Sequence, residues 1–204
     1  MEFYHNLITQ KSWQLLQLLK KKYVFILIGG WAVFLYSRTL KSKDIDLIID
    51  YPELEKLKKD YPVVKNERLK KYEAKAEETE IDIYLPHYSN PGLPAEEVSK
   101  FTNKIENFTV PRPEILALLK AKALVERRNS SKGRKDILDL VSLFSWEGFD
   151  FTKLTNQAKS YQVTEYLRVA AQEIKNLNQI EELDLNTHRL AKLKKQILPK
   201  INVD

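Results

Sequence analysis

Asp44 and Asp46 flank Ile45 in the segment KDIDLIID. In an extended chain, residues two apart project to one face, about 6–7 Å apart along it. Two carboxylates so placed can share a hard divalent cation such as Mg2+, which prefers oxygen ligands. Ile45, Leu47 and Ile49 alternate with them, so the opposite face of this strand belongs to a buried sheet. A solvated polar strand face is the bland alternative for the acids. Upstream, the apolar run YVFILI ends at Gly29 and Gly30, two of the five glycines in the chain. Paired glycines between a strand and a helix allow a tight turn. They also let a phosphate approach the backbone amides, with the positive end of the helix adding attraction. An ordinary turn needs the same residues, and neither GxxxxGK nor GxGxxG is present. Asp50, at the far end of the second strand, reads as a cap for the helix that Pro52 opens.

These residues need elements to hold them. NLITQKSWQLLQLLKKK has helical spacing and a lysine-rich end, and YVFILI reads as a buried strand. WAVFLYSR suits a helix, KDIDLIID a strand and PELEKLKKD a short helix. VVKNERLKKYEAKA reads as an edge hairpin. ETEIDIYLP alternates, with Glu80, Asp82 and Tyr84 on one face and Ile81, Ile83 and Leu85 on the other. PHYSNPGLPAEE is a loop by its turn residues. From Pro111 onward five segments are helical in pattern and none reads as a strand. The expected fold is α+β: a small mixed sheet flanked by helices over residues 1–110, then a helical bundle over residues 111–204.

The chain has 204 residues, 43% of them apolar, enough for a sizeable core. With no cysteine, disulfides and thiolate metal sites are excluded. The net charge of +6 permits a polyanionic partner without demanding one. No secretory pattern opens the sequence, and no apolar run approaches the roughly 20 residues that span a bilayer. A soluble, cytoplasmic protein with no membrane partner is expected. The three histidines, His5, His87 and His188, are too scattered to suggest a metal site, and each is expected at the surface.

Taken together, the motifs resemble the nucleotidyltransferase superfamily that includes DNA polymerase β. Its signature is an apolar residue, two small residues, about a dozen residues, then Asp-apolar-Asp-apolar. Here it reads Ile28-Gly29-Gly30, then Asp44-Ile45-Asp46-Leu47. The third carboxylate of the family lies on a later strand between apolar neighbours, which Ile81-Asp82-Ile83 matches, with Glu80 as the substitute. In the second half, ILALLKAKALVERR followed by KGRKDILDL resembles the AbiEii-type minimal nucleotidyltransferases. Lys120, Ala123, Leu124 and Arg127 fit their first helical pattern; Lys135, Asp136, Asp139 and Leu140 fit their second. The resemblance covers roughly residues 24–144. Ser42 fits the hydroxyl position before the paired aspartates, whereas Arg38 lies four residues before it instead of two.

The resemblance implies transfer of a nucleoside monophosphate from an NTP, such as ATP, to an acceptor hydroxyl, with release of pyrophosphate. Asp44 and Asp46 would hold the metal that carries the triphosphate. Asp82 would complete a second metal site and act on the acceptor hydroxyl. Gly29, Gly30 and Ser42 would hold phosphates, with Lys120 and Asp136 also at the nucleotide. The implied cofactor is a pair of Mg2+ ions, with Mn2+ as a substitute. Acceptors in this superfamily include tRNA 3′ ends, proteins and small molecules. The basic helical half tilts the expectation towards RNA, with Arg127, Arg128, Lys132, Arg134, Arg189, Lys192, Lys194 and Lys195 as candidate contacts. For the helical motif a structural reading stands beside the functional one: Asp136 and Asp139 bridging helices, Lys120 solvated. Two other classes compete with the enzyme. One is a catalytically silent binding module or antitoxin of the same fold, acting through a partner protein. The other is a non-catalytic RNA-binding protein, suggested by HRLAKLKKQILPK.

Overall fold

The computed structural model describes residues 2–201, with side chains described from Leu7 onward. The chain divides into two compact units, Met1–Leu35 with Lys41–Pro111, and Tyr36–Leu40 with Arg112–Asp204.

The first unit is built on a seven-stranded mixed sheet. Its strands are β1 (Ile26–Ile28), β2 (Ile45–Ile48), β3 (Val63–Asn66), β4 (Lys71–Ala76), β5 (Thr79–Tyr84), β6 (Thr102–Ile105) and β7 (Phe108–Pro111). Across the sheet they run β3-β4-β5-β2-β1-β7-β6. β1 is antiparallel to β2 and parallel to β7, while β2 and β5 run parallel. Leu27, Ile45, Leu47, Ile81 and Ile83 are fully buried. Each such side chain contributes about 1.5–3 kcal/mol relative to exposure, so the three central strands anchor the unit. The helices α1 (Glu2–Lys22), α2 (Gly29–Ser37), α3 (Tyr51–Asp60) and α4 (Ala95–Val98) accompany the sheet. Trp31 of α2 is buried and donates its indole N–H to Ser12 of α1, 2.9 Å away. Trp13, Phe34 and Phe108 complete an aromatic cluster around it. Asp50 caps α3, accepting the backbone N–H of Glu53 at 2.9 Å, as the sequence predicts.

The β6–β7 hairpin is a strand pair the sequence reading does not anticipate. Its turn is Glu106-Asn107, both at positive φ, closed by the Ile105–Phe108 pair. Two left-handed residues match the twist of the flanking strands. Asparagine tolerates that conformation, but without glycine the turn leaves a weak signal.

The second unit is helical: α5 (Pro113–Arg127), α6 (Ser131–Phe144), α7 (Phe151–Ser160), α8 (Thr164–Asn176) and α9 (Thr187–Ile201). α5 is its centre, packed by α6, α7 and α8, and α9 lies on α7 and α8. Ser130 caps α6 through Gly133 N, and Asp150 caps α7 through Lys153 N. The C-terminal end of α8 is closed by a long-range contact. Lys194 of α9 donates to the carbonyls of Lys175 and Leu177, a cation at the negative end of the helix dipole. Tyr36 packs edge-on against Trp146, 5.1 Å between ring centres. Among the described residues no helix is long and apolar enough to cross a membrane.

Candidate active site

β1 ends where β2 begins, because the two strands are antiparallel and Ile28 is the partner of Asp46. Gly29 therefore arrives directly over Asp46. Its φ is +67°, and a Cβ placed on it would lie 1.9 Å from Asp46 Oδ2. Glycine is required there twice over: for the left-handed backbone and for room against the carboxylate. Gly30 follows, buried, in the first turn of α2. The N–H groups of a first helical turn have no intrahelical partner, which is the backbone arrangement an anionic ligand needs.

Asp44 precedes β2 by one residue and Asp46 lies within it; both are half-buried. Asp82 is the register partner of Asp46 on the adjacent parallel strand, so the two carboxylates stand side by side on one face. Glu80 is exposed and faces Lys75 of β4. Ser42 is buried just ahead of the paired aspartates.

A residue the sequence reading leaves out stands at the centre of this face. Lys71 Nζ lies 2.6 Å from Asp82 Oδ2 and 3.1 Å from Glu73 Oε1, with a side chain only 12% exposed. Glu73 is itself the register partner of Asp82 across the β4–β5 hairpin and accepts a further bond from Asn66 at 2.9 Å. Burial pulls the pKa of the Lys71 ammonium down. The Asp82 and Glu73 carboxylates more than offset that, holding it above the ordinary lysine value. Glu73 is correspondingly held below the usual carboxylate range, chiefly by its bond from Lys71. The signal for this contact is register. The two-residue turn Glu77-Glu78 pairs Ala76 with Thr79, and counting back from it sets Glu73 opposite Asp82 with Lys71 one diagonal away.

Among the described residues no three histidine, cysteine or carboxylate side chains converge as a ready-made metal site. Mg2+ does not require one, because it is commonly held by one or two carboxylates, waters and substrate phosphates. The all-oxygen pair Asp44 and Asp46, with Asp46 seated beneath Gly29, fits that donor chemistry. Asp82, already bonded to an ammonium, does not offer the same.

Lys120 and Asp136 lie in the helical unit, both buried between α5 and α6. Arg127 grips Asp136 with two parallel bonds, Nε to Oδ2 at 2.8 Å and Nη2 to Oδ1 at 3.0 Å. Lys120 Nζ stands 2.7 Å from Asp139 Oδ2 and 3.4 Å from Asp136 Oδ1. The ion contact with Asp139 is close but poorly aligned, leaving neither of its buried oxygens a well-directed hydrogen bond. The four charges form a helix-to-helix clasp, and Lys120 is enclosed rather than solvated.

Several candidate RNA contacts are also engaged internally. Besides Arg127, Arg134 pairs with Glu182, Arg189 with Asp184, and Lys194 closes α8. Arg128, Lys132, Lys192 and Lys195 are exposed. Of the histidines, His87 and His188 are exposed, and the His5 side chain lies outside the described residues.

No protein-family model matches the chain, and no curated protein matches it. Solved structures of similar fold include JHP933 from Helicobacter pylori, at 17% identity and a TM-score of 0.48. That match spans 98% of this chain and 92% of the other. Another is an antigenic nucleotidyltransferase-like protein from Paracoccidioides brasiliensis, at 16% identity and a TM-score of 0.44. It spans 88% of this chain and 93% of the other.

Proposed function

We propose that the chain is a metal-dependent nucleotidyltransferase that moves a nucleoside monophosphate from an NTP to an acceptor hydroxyl. The observation that carries this reading is the junction of β1, β2 and β5. There Gly29 closes over Asp46, and Asp46 stands beside Asp82. The turn and the acids form one piece of geometry, which accounts for both motifs together.

Gly29 and Gly30 at the start of α2 would receive the phosphates through their backbone amides. Asp44 and Asp46 would hold a divalent cation, Mg2+ or Mn2+, which supplies positive charge to the triphosphate and eases departure of pyrophosphate. Asp82 would orient the acceptor hydroxyl and take its proton. The acceptor oxygen forms a bond to the α-phosphorus as the bond to the bridging oxygen breaks, and the electron pair leaves with pyrophosphate. The clasp of Lys120, Arg127, Asp136 and Asp139 would serve by fixing α5 against α6.

If the acceptor is RNA, such as a tRNA 3′ end, the phosphate contacts fall to Arg128, Lys132, Lys192 and Lys195. Arg134 and Arg189 would join them by exchanging weak surface pairs for phosphates. Pyrophosphate release measured with each NTP, Mg2+ and a tRNA pool tests the reading. Release by the wild type and none by Asp46→Asn is expected; equal release by both proteins refutes it. A silent binding module or antitoxin, or a non-catalytic RNA-binding protein, predicts no release from either.

A further inference from the structure

Asp82 is where the donor set departs from a two-cation site. A second divalent cation would have to bind its carboxylate at about 2.1 Å, yet Lys71 Nζ already lies 2.6 Å from Asp82 Oδ2. The two positive centres would then share one carboxylate, the cation left with Oδ1 while the ammonium keeps Oδ2. The carboxylate offers the newcomer little net charge in exchange for its water shell.

Lys71 is also not loosely placed. Its ammonium bridges two carboxylates, Asp82 and Glu73, that face each other across β4 and β5. Asn66 of β3 holds Glu73 from the far side. The backbone just before Lys71 is fixed as well. Lys70 has a left-handed φ of 50°, and its carbonyl accepts a 2.6 Å bond from the buried Ser89 hydroxyl. That hydroxyl in turn receives Leu85 N at 3.0 Å, which ties the turn to the end of β5. Three strands and a loop thus converge on one ammonium group. An ordinary surface lysine, on a flexible stem with water around it, has no such scaffold.

We infer that Lys71 is a resident cation: its ammonium takes the place of one of the two metal ions beside Asp82. The site then binds a single divalent cation, at Asp44 and Asp46. The inference rests on the nucleotidyltransferase reading and sharpens its metal chemistry. Lys71 keeps Asp82 oriented, and it supplies fixed positive charge where the acceptor oxygen becomes negative. A fixed ammonium has a practical consequence: that half of the site is filled whatever the concentration of free Mg2+.

Counting bound ions tests this without relying on turnover. Mn2+ titrated into the whole chain and followed by electron paramagnetic resonance should show one ion per wild-type chain. Lys71→Met frees Asp82 and should raise the count to two. The double variant Lys71→Met/Asp82→Asn should return it to one, and Lys71→Arg, which keeps the charge, should stay at one. Two ions on the wild type, or one on Lys71→Met, overturns the inference. Either result leaves the enzymatic reading intact, because that stands or falls on pyrophosphate release. No bound Mn2+ on any of these proteins overturns the single-ion site itself. A second measurement, on wild-type protein alone, does not depend on the variants folding. The 15N signal of the Lys71 ammonium should persist when Mg2+ is added; its loss or a large shift to a solvent-exposed position means that the metal displaces it.

Discussion

The molecule contains two groups of aspartates accompanied by lysine, and they are built on opposite principles. In the helical unit, Asp136 and Asp139 are sealed from water and matched charge for charge by Arg127 and Lys120. In the sheet unit, the Asp46 and Asp82 side chains are partly accessible, and the Lys71 ammonium is shared between Asp82 and Glu73. A sealed and neutral group resembles a structural clasp, since a buried charge must be compensated to be tolerated. An accessible group of carboxylates is suited to recruiting a cation and a triphosphate. Motif spacing alone does not separate the two, because both show aspartates at short regular intervals. Burial and charge matching do.

The largest expected effect is kinetic and falls on the sheet. Metal-borne charge stabilisation amounts to several kcal/mol, so Asp46→Asn should lower turnover by about 10³-fold. Its unfolding free energy should shift by less than about 1 kcal/mol, because the side chain is half-exposed. Denaturant titration beside a turnover assay checks both halves. A large loss of stability would erase the difference between the two groups.

Next comes the opposite case. Asp136→Ala removes the buried partner of Arg127 and leaves the enclosed Lys120 with Asp139 alone, and should cost about 1.5–3 kcal/mol of stability. Replacing Lys120, Arg127, Asp136 and Asp139 together with apolar residues of similar volume should recover much of that loss. A stability change near zero for Asp136→Ala would show that the clasp is not structural.

Gly29→Ala joins the two themes. The left-handed backbone alone costs about 1–2 kcal/mol for a residue with a Cβ, and contact with Asp46 adds to it. Turnover should fall further than stability, because the carboxylate must move aside. Glycine-like stability together with lost turnover, read from melting curves and initial rates, would still place Gly29 in the site. The smallest effect is expected at the surface. Arg134→Ala breaks an exposed pair with Glu182 and should cost no more than about 1 kcal/mol, with any loss shrinking further in high salt.

Much of this was legible in the sequence where a residue type is bound to one geometry. Gly29 is constrained by its backbone and the alternating acids by the strand period, while Asp50 and Pro52 announce the start of a helix. The α+β class follows from those signals. Lys71 was not legible, because its place depends on the register of β4 against β5, and that register is set by Glu77-Glu78, a turn without glycine. The β6–β7 hairpin is hidden in the sequence for the same reason, its turn being Glu106-Asn107. Lys120 illustrates a different difficulty. Helical spacing locates its backbone, but a long side chain can lie along a helix into water or turn inward to an acid, and only packing decides.

The parallel pairing of β1 with β7 has a consequence for how the chain is made. Ile26 meets Thr109, more than eighty residues later. At about 5–20 residues per second, a ribosome would deliver β7 at least roughly four seconds after β1. β2 and β5 are synthesised well within that interval, and they are the strands that bring Asp46 and Asp82 together. The acidic centre can therefore assemble on the nascent chain while the other flank of β1 is still open. Until β7 arrives, that flank is the part of the newborn protein that a chaperone has most reason to cover.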